Sequence, residues 1–230
     1  MAARPADREA CAAPEIREPN SERITVTVDE SALGRGDELR FLRTWLLAPL
    51  TTGAQMPSGR RLARAMAAAV DPEVPGWVIE LGPGTGPVTR ALIERGVAPE
   101  RLLLVEANAE FCRLLRERCP GARVLHADAF AAMRRLRREG LPVSAVVSSL
   151  PLMTLAPRRR LRLLHDCLRL MGPGGRFVQF TYAFRSPLPL RATGIRAAAA
   201  PRVWWNLWPA KVWTYQRADG PGSTYSSTAK

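Results

Sequence analysis

The sequence predicts an α/β fold: a mostly parallel, twisted sheet of about seven strands with helices on both faces, preceded by an amphipathic N-terminal helix. Three observations predict it. From Trp77 onward, apolar runs of strand length alternate with amphipathic stretches of helix length. A glycine-rich string, Glu80-Leu-Gly82-Pro-Gly84-Thr-Gly86, falls between the first of those strands and the helix that follows. The next strand ends in the acid Glu106, and the acid Asp128 follows the one after it.

Each element has a local reason. Residues 1–36 are polar and rich in Pro, Ala and Glu, and read as a largely disordered tail. They contain no apolar h-region, so no secretory signal is read there. From Asp37 to Leu50 the apolar residues Leu39, Phe41, Leu42, Trp45, Leu46 and Leu50 crowd one side of a helix. Pro57-Ser58-Gly59 then opens a second helix, Arg60 to Val70, with Ser58 as its expected N-cap. Residues 37–70 thus read as N-terminal helices. Strands follow at Trp77–Leu81, Leu102–Glu106, Arg123–Ala127, Val143–Ser149 and Arg176–Tyr182. Helices at Pro87–Gly96, Ala109–Arg118, Ala129–Glu139 and Pro157–Met171 separate them. This rhythm is the sequence form of a parallel sheet with both faces covered. Gly172-Pro-Gly-Gly175 is a tight turn. Val203 to Arg217 reads as two strands around Trp208-Pro209, which closes a main domain over 71–217. Residues 218–230 are Gly/Ser/Thr-rich and read as a flexible tail.

Charge divides the chain. Residues 1–130 hold 17 basic and 18 acidic side chains, whereas 131–230 hold 17 basic and 3 acidic ones. The second half therefore carries all of the net +13. A field of that sign attracts phosphates, on nucleic acid or on an anionic membrane. Free use of Arg by a GC-rich genome explains why only Lys211 and Lys230 are lysines, but it does not explain the missing acids. Cys11, Cys112, Cys119 and Cys167 show no CxxC pairing, and they read as reduced thiols rather than a metal site.

The glycine-rich loop sits at the carboxyl edge of the sheet, where open α/β sheets bind ligands. A dinucleotide loop reads GxGxxG and receives a pyrophosphate. This loop reads GxGxG, and Glu80 precedes it. An acid there suits a cationic ligand bearing an amino acid, the pattern of methyltransferase motif I. Glu106 is placed to accept ribose hydroxyls. Asp128 is placed to accept from an adenine amine, with Phe130 against the ring; the competing reading is a plain N-cap for the helix from Ala129. Met56, Ala107, Ala129 and Ser148 complete the expected cofactor-binding set with Glu80, Gly82, Gly84, Gly86, Glu106 and Asp128.

Several segments together resemble the bacterial phospholipid N-methyltransferases. They are Gly53-Ala-Gln-Met-Pro-Ser58, Glu80 to Arg90, Val146-Val-Ser-Ser-Leu-Pro-Leu152, Gly175 to Tyr182 and Asn206 to Trp213. The resemblance covers about residues 38–217, with Trp208-Pro209 standing where the family's turn is Pro-Pro. It implies a Rossmann-like class I methyltransferase that uses S-adenosylmethionine and releases S-adenosylhomocysteine. The acceptors it implies are phosphatidylethanolamine and its methylated derivatives, converted towards phosphatidylcholine. It further implies a cytoplasmic enzyme, peripheral at the inner face of an anionic membrane, with Phe41 and Trp45 on the lipid-touching helix.

Ser149, ending the fourth strand, is the expected catalytic position; methyltransferases of nucleic-acid amines usually carry Asn or Asp there. Tyr182, ending the fifth strand, is the second, and its ring face suits a cationic head group. Arg185 and Lys211 are expected to hold the lipid phosphate. Arg158, Arg159 and Arg160 read as a solvated helix start or as contacts to anionic lipid, and His126 and His165 as structural. Trp204, Trp205, Trp208 and Trp213 read as sheet core or as a lipid-facing edge. An RNA adenine N6-methyltransferase shares motif I and the basic half, but the serine at position 149 counts against it, so no nucleic-acid partner is expected. A non-catalytic phosphate- or membrane-binding protein does not need Glu80, Glu106 and Asp128 where they stand.

Overall fold

The computed structural model describes residues 57–183, 186–188, 194–200 and 210–218. The readings made for 1–36 and 37–50, and for Met56, Arg185, Trp204, Trp205 and Trp208, lie outside the described residues.

Seven strands form one sheet in the order β3-β2-β1-β4-β5-β7-β6. They are β1 (Trp77–Leu81), β2 (Leu102–Glu106), β3 (Arg123–His126), β4 (Val143–Ser148), β5 (Met171–Thr181), β6 (Ile195–Ala199) and β7 (Lys211–Arg217). The first five are parallel neighbours, and β7 runs antiparallel to both β5 and β6. The helices are α1 (Pro57–Ala67), α2 (Pro87–Glu94), α3 (Ala109–Arg118), α4 (Ala129–Glu139) and α5 (Pro157–Leu170).

The inner strands read as continuous apolar runs because both faces are covered. Ile79, Leu81, Leu103 and Val105 face Met133 and Leu136 of α4 and Leu163 and Leu164 of α5. Val78, Leu102 and Leu104 face Met66 of α1, Leu92 of α2 and Leu115 of α3. Burying each such side chain contributes roughly 1.5–3 kcal/mol. The link from Asp71 to Gly76 is held by Arg101, whose guanidinium donates to the carbonyls of Gly76, Pro72 and Val74.

The structure departs from the sequence reading at several places. α1 is described as Pro57–Ala67, so Ser58 stands within the helix rather than ahead of it. The antiparallel partner of β7 is Ile195–Ala199, which the sequence reading did not mark as a strand; of the two strands expected over Val203–Arg217, the first lies outside the described residues. An Ile-Arg-Ala-Ala-Ala string has little intrinsic strand preference, and pairing with β7 makes it a strand. The turn Gly172–Gly175 is absorbed into β5 as a wide bulge: Val143 pairs with Met171, yet Ala145 pairs with Arg176.

Among the described residues, Cys112, Cys119 and Cys167 are buried and free. Among the same residues no helix is long and apolar enough to cross a membrane.

Candidate active site

The carboxyl ends of β1, β2 and β4 bring the motif residues together. Gly82 and Gly84 adopt left-handed φ values of 68° and 57°. At Gly82 a Cβ would also lie 2.9 Å from Leu150 Cδ2, so the Leu150 side chain would have to shift to admit one. At Gly84 a Cβ would meet no atom of the described residues within 4 Å, so among these residues the loop borders open space. The chain then enters α2 through Gly86 and Pro87.

Glu106 ties this loop to β2. One carboxylate oxygen accepts from the Gly84 N–H at 3.0 Å, and the other accepts from the Asn108 N–H at 2.9 Å. Each oxygen keeps a further lone pair for hydroxyl donors. Asn108 caps α3 by accepting from the N–H groups of Glu110 and Phe111. Ala107 offers its carbonyl to His126 at 3.0 Å, a structural place for that histidine.

Glu80 is fully buried at the end of β1. Thr89 Oγ1 donates to Glu80 Oε2 at 2.6 Å, while Glu80 Oε1 has no partner among the described residues. Loss of hydration pushes its carboxyl from 4.5 up to about 8; the Thr89 hydrogen bond opposes this and the charge of Glu106 adds to it. Such a group lacks a cation, and the amine of an amino-acid ligand is one.

Asp128 caps α4, accepting from the Ala131 N–H at 3.0 Å, so the N-cap reading holds. Its second oxygen has no partner among the described residues, and the residue is exposed. Phe130, the second residue of α4, lies under the Arg159 guanidinium at 5.0 Å. Arg160 donates to the carbonyls of Leu155 and Pro187, which makes it a tie between two loops rather than a solvated charge.

On the other side of the glycine loop, the Ser149 N–H donates to Leu81 O at 2.9 Å, which sets Ser149 beside β1. Its Oγ is buried without a partner among the described residues, and Ser148 is buried behind it. Tyr182 stays partly exposed and meets Phe180 edge-on at 5.5 Å; partial burial pushes its phenol above the usual range. Lys211 pairs across from Thr181, and its ammonium lies 5.1 Å from the centre of the Trp213 ring. The sequence reading missed the roles of Thr89, Asn108 and Arg160. Only Asn108 carried a signal, as an Asn directly ahead of a helix.

Comparison with known proteins agrees with this layout. A family profile described as "Methyltransferase domain" matches residues 78–175. An ornithine lipid N-methyltransferase from Singulisphaera acidiphila is 30% identical over 129 residues, which cover 54% of this chain and 67% of that protein. A ribosomal RNA small subunit methyltransferase A from a Synechococcus strain is 50% identical over 44 residues, 19% of this chain and 14% of that protein. Among solved structures, a Burkholderia thailandensis 1,6-didemethyltoxoflavin-N1-methyltransferase with bound S-adenosylhomocysteine superposes with a TM-score of 0.56 at 17% identity, covering 84% of this chain and 94% of that one. The sheet order, the glycine loop with its acids and these matches agree: the chain belongs to the class I S-adenosylmethionine-dependent methyltransferases, and its cofactor is S-adenosylmethionine, released as S-adenosylhomocysteine.

Proposed function

We propose that this enzyme N-methylates a lipid amine at a membrane surface, with phosphatidylethanolamine and its mono- and dimethyl forms as acceptors, towards phosphatidylcholine. The observation that carries the reading is the neutral acceptor end of the site: Ser149, tied by its N–H to Leu81 at the end of β1, has a buried hydroxyl with no partner among the described residues. The 30% identity to a lipid amine methyltransferase supports it, and favours an ornithine lipid as the second acceptor to try.

The residues fit the cofactor. Glu80 Oε1 is the free acceptor for the amine of the methionine part. The open space at Gly84 admits the ligand to the backbone. Glu106 takes the ribose hydroxyls, and Asp128 with Phe130 takes the adenine, with Met56, Gly82, Gly86, Ala107, Ala129 and Ser148 around them. When bound, S-adenosylmethionine supplies an electrophilic methyl group for a nitrogen lone pair. Ser149 and nearby carbonyls orient the acceptor amine, and water takes its proton. Alignment of this kind supplies much of the rate of such transfers. Tyr182 faces the growing cationic head group, and Arg185 and Lys211 hold the phosphate.

Two expected outcomes test these roles. Purified enzyme with labelled cofactor should label phosphatidylethanolamine in anionic vesicles and leave ribosomal RNA unlabelled, as read by mass spectrometry and scintillation counting. Ser149→Ala and Tyr182→Ala should lower turnover more than cofactor affinity. RNA labelling without lipid labelling reverses the ranking of the two acceptors.

The second outcome concerns pH. The raised Glu80 carboxyl keeps its proton below about 8 in the ligand-free protein. The amine of the ligand favours the charged form, so binding releases a proton in that range. Affinity for S-adenosylhomocysteine should therefore rise as pH climbs towards about 8, and Glu80→Gln should flatten the rise. Without ligand the sign is the opposite: the folded state holds the proton that the unfolded chain loses, so this group's stabilisation falls between 4.5 and about 8. Calorimetry in buffers of differing ionisation enthalpy reads the proton. Binding without proton release leaves Glu80 outside the amine contact.

A further inference from the structure

α4 and α5 lie side by side on one face of the sheet and run in the same direction. Two contacts fix their alignment. Arg159 of α5 lies over the Phe130 ring of α4 at 5.0 Å, and seven residues further along each helix Arg137 of α4 reaches Asp166 of α5 at 3.4 Å. Both helices bury their apolar sides against the strands, through Met133 and Leu136 in one and Leu163, Leu164 and Cys167 in the other. What they turn outward is chiefly basic. Together they hold nine arginines and two acids, Glu139 and Asp166.

Each acid neutralises one arginine. Glu139 pairs with Arg135 at 2.7 Å and Asp166 with Arg137 at 3.4 Å. Arg159 rests on Phe130, and Arg160 ties two loops. The remaining five, Arg134, Arg138, Arg158, Arg162 and Arg169, are exposed, and none has an ion-pair partner among the described residues. Their spacing puts them on one surface. At about 3.6 residues per turn, Arg134 and Arg138 share a stripe of α4, as Arg158, Arg162 and Arg169 share a stripe of α5. Each stripe lies opposite the buried side of its helix, so both look away from the sheet. Arg158 to Arg169 spans about 16 Å along the helix axis, and packed helices stand roughly 8–10 Å apart.

We propose that this outer face of α4 and α5 is a docking surface for an anionic bilayer, with the five unpaired arginines meeting lipid phosphates. The choice of partner rests on the lipid-amine reading above. Five like charges on one rigid face repel one another, and opposing anions relieve that repulsion. A bilayer presents its phosphates as a plane, which matches a flat array two helices wide. The same face has no exposed Phe, Tyr or Trp on which the bases of a single strand could stack. Two helices lying flat also enter no groove of a duplex. The face carries no exposed large apolar side chain, so its attraction is one of charge alone. It differs in kind from the aromatic contact expected of Phe41 and Trp45.

The test measures co-sedimentation of the full-length enzyme with vesicles of phosphatidylglycerol in phosphatidylcholine, against phosphatidylcholine alone. One variant is Arg158→Gln/Arg162→Gln/Arg169→Gln, and a second is Arg134→Gln/Arg138→Gln. They sit on different helices, so one reads the face if the other disturbs its helix. A control, Arg95→Gln/Arg113→Gln/Arg116→Gln, removes three charges from exposed positions of the opposite face. Each arginine near an anionic surface contributes about fivefold in affinity. On the anionic vesicles the first variant should therefore lose roughly a hundredfold and the second roughly twentyfold, with the control near wild type. At about 1 M salt, where the Debye length is ~3 Å, the differences should vanish. Melting and S-adenosylhomocysteine binding should match wild type throughout. Equal loss in the control, wild-type affinity in both face variants, or a wild type that ignores anionic vesicles overturns the proposal. So does a loss of ribosomal RNA binding with vesicle binding intact, which gives the face to nucleic acid. A wild type that labels no lipid amine, while both face variants lose the vesicles, refutes the acceptor reading and leaves this surface standing.

Discussion

Glu106→Ala is expected to weaken S-adenosylhomocysteine binding at least tenfold. The carboxylate is tied at both oxygens, to the N–H groups of Gly84 and Asn108. Alanine removes the ribose acceptor and unfastens the loop from the start of α3 in one step. A hydrogen bond to a charged group contributes roughly 1.5–3 kcal/mol, and a factor of ten corresponds to about 1.4 kcal/mol. Gly84→Val should match that loss for a different reason. Its φ of 57° is a conformation a β-branched residue avoids, and the new side chain would enter the space that the described residues leave open beside Gly84. The two variants thus separate loop shape from polar contact. Calorimetry on both, beside a melting curve, reads the result. Wild-type affinity in both would move the cofactor away from the glycine loop.

Loss of vesicle binding in Phe41→Ala/Trp45→Ala is the largest effect expected. The two aromatics stand four residues apart and so share a face of the helix read over 37–50. Burying each in the interface contributes roughly 1.5–3 kcal/mol, so the pair outweighs one arginine at about 1 kcal/mol near an anionic surface. Salt should weaken the arginine contribution and spare the apolar one. Co-sedimentation at low and high salt, with cofactor binding as the control, decides it. Loss at both salt levels with cofactor binding intact identifies the anchor. Sedimentation like wild type moves the lipid surface elsewhere, first to residues 204–213. Loss of cofactor together with unfolding places the helix in the core.

The parts of the fold that sequence revealed are those set by local pattern. Leu102–Glu106 and Ala109–Arg118 match their expected bounds because apolar runs and an Asn cap mark both ends. The glycine loop was legible because left-handed φ selects glycine by itself. Ile195–Ala199 was not legible, since its strand character comes from β7 and not from its own alanines. Gln179 carries no role legible in the sequence, because an amide's free oxygen is visible only once both carbonyls facing its nitrogen are known. Ser58 looked like a cap by type, yet it stands within the helix Pro57–Ala67.

The place of β7 has a consequence for synthesis. It is the last strand described, yet it lies inside the sheet, between β5 and β6. During translation β6 emerges with no partner in the sheet, and β5 presents a bare strand edge until Lys211–Arg217 leaves the ribosome. The parallel half can assemble as it is made, while the antiparallel half waits for its final segment. Nascent chains halted before that segment expose a ready template for pairing with one another, which makes the interval before β7 docks the stretch of this protein's life most in need of a chaperone.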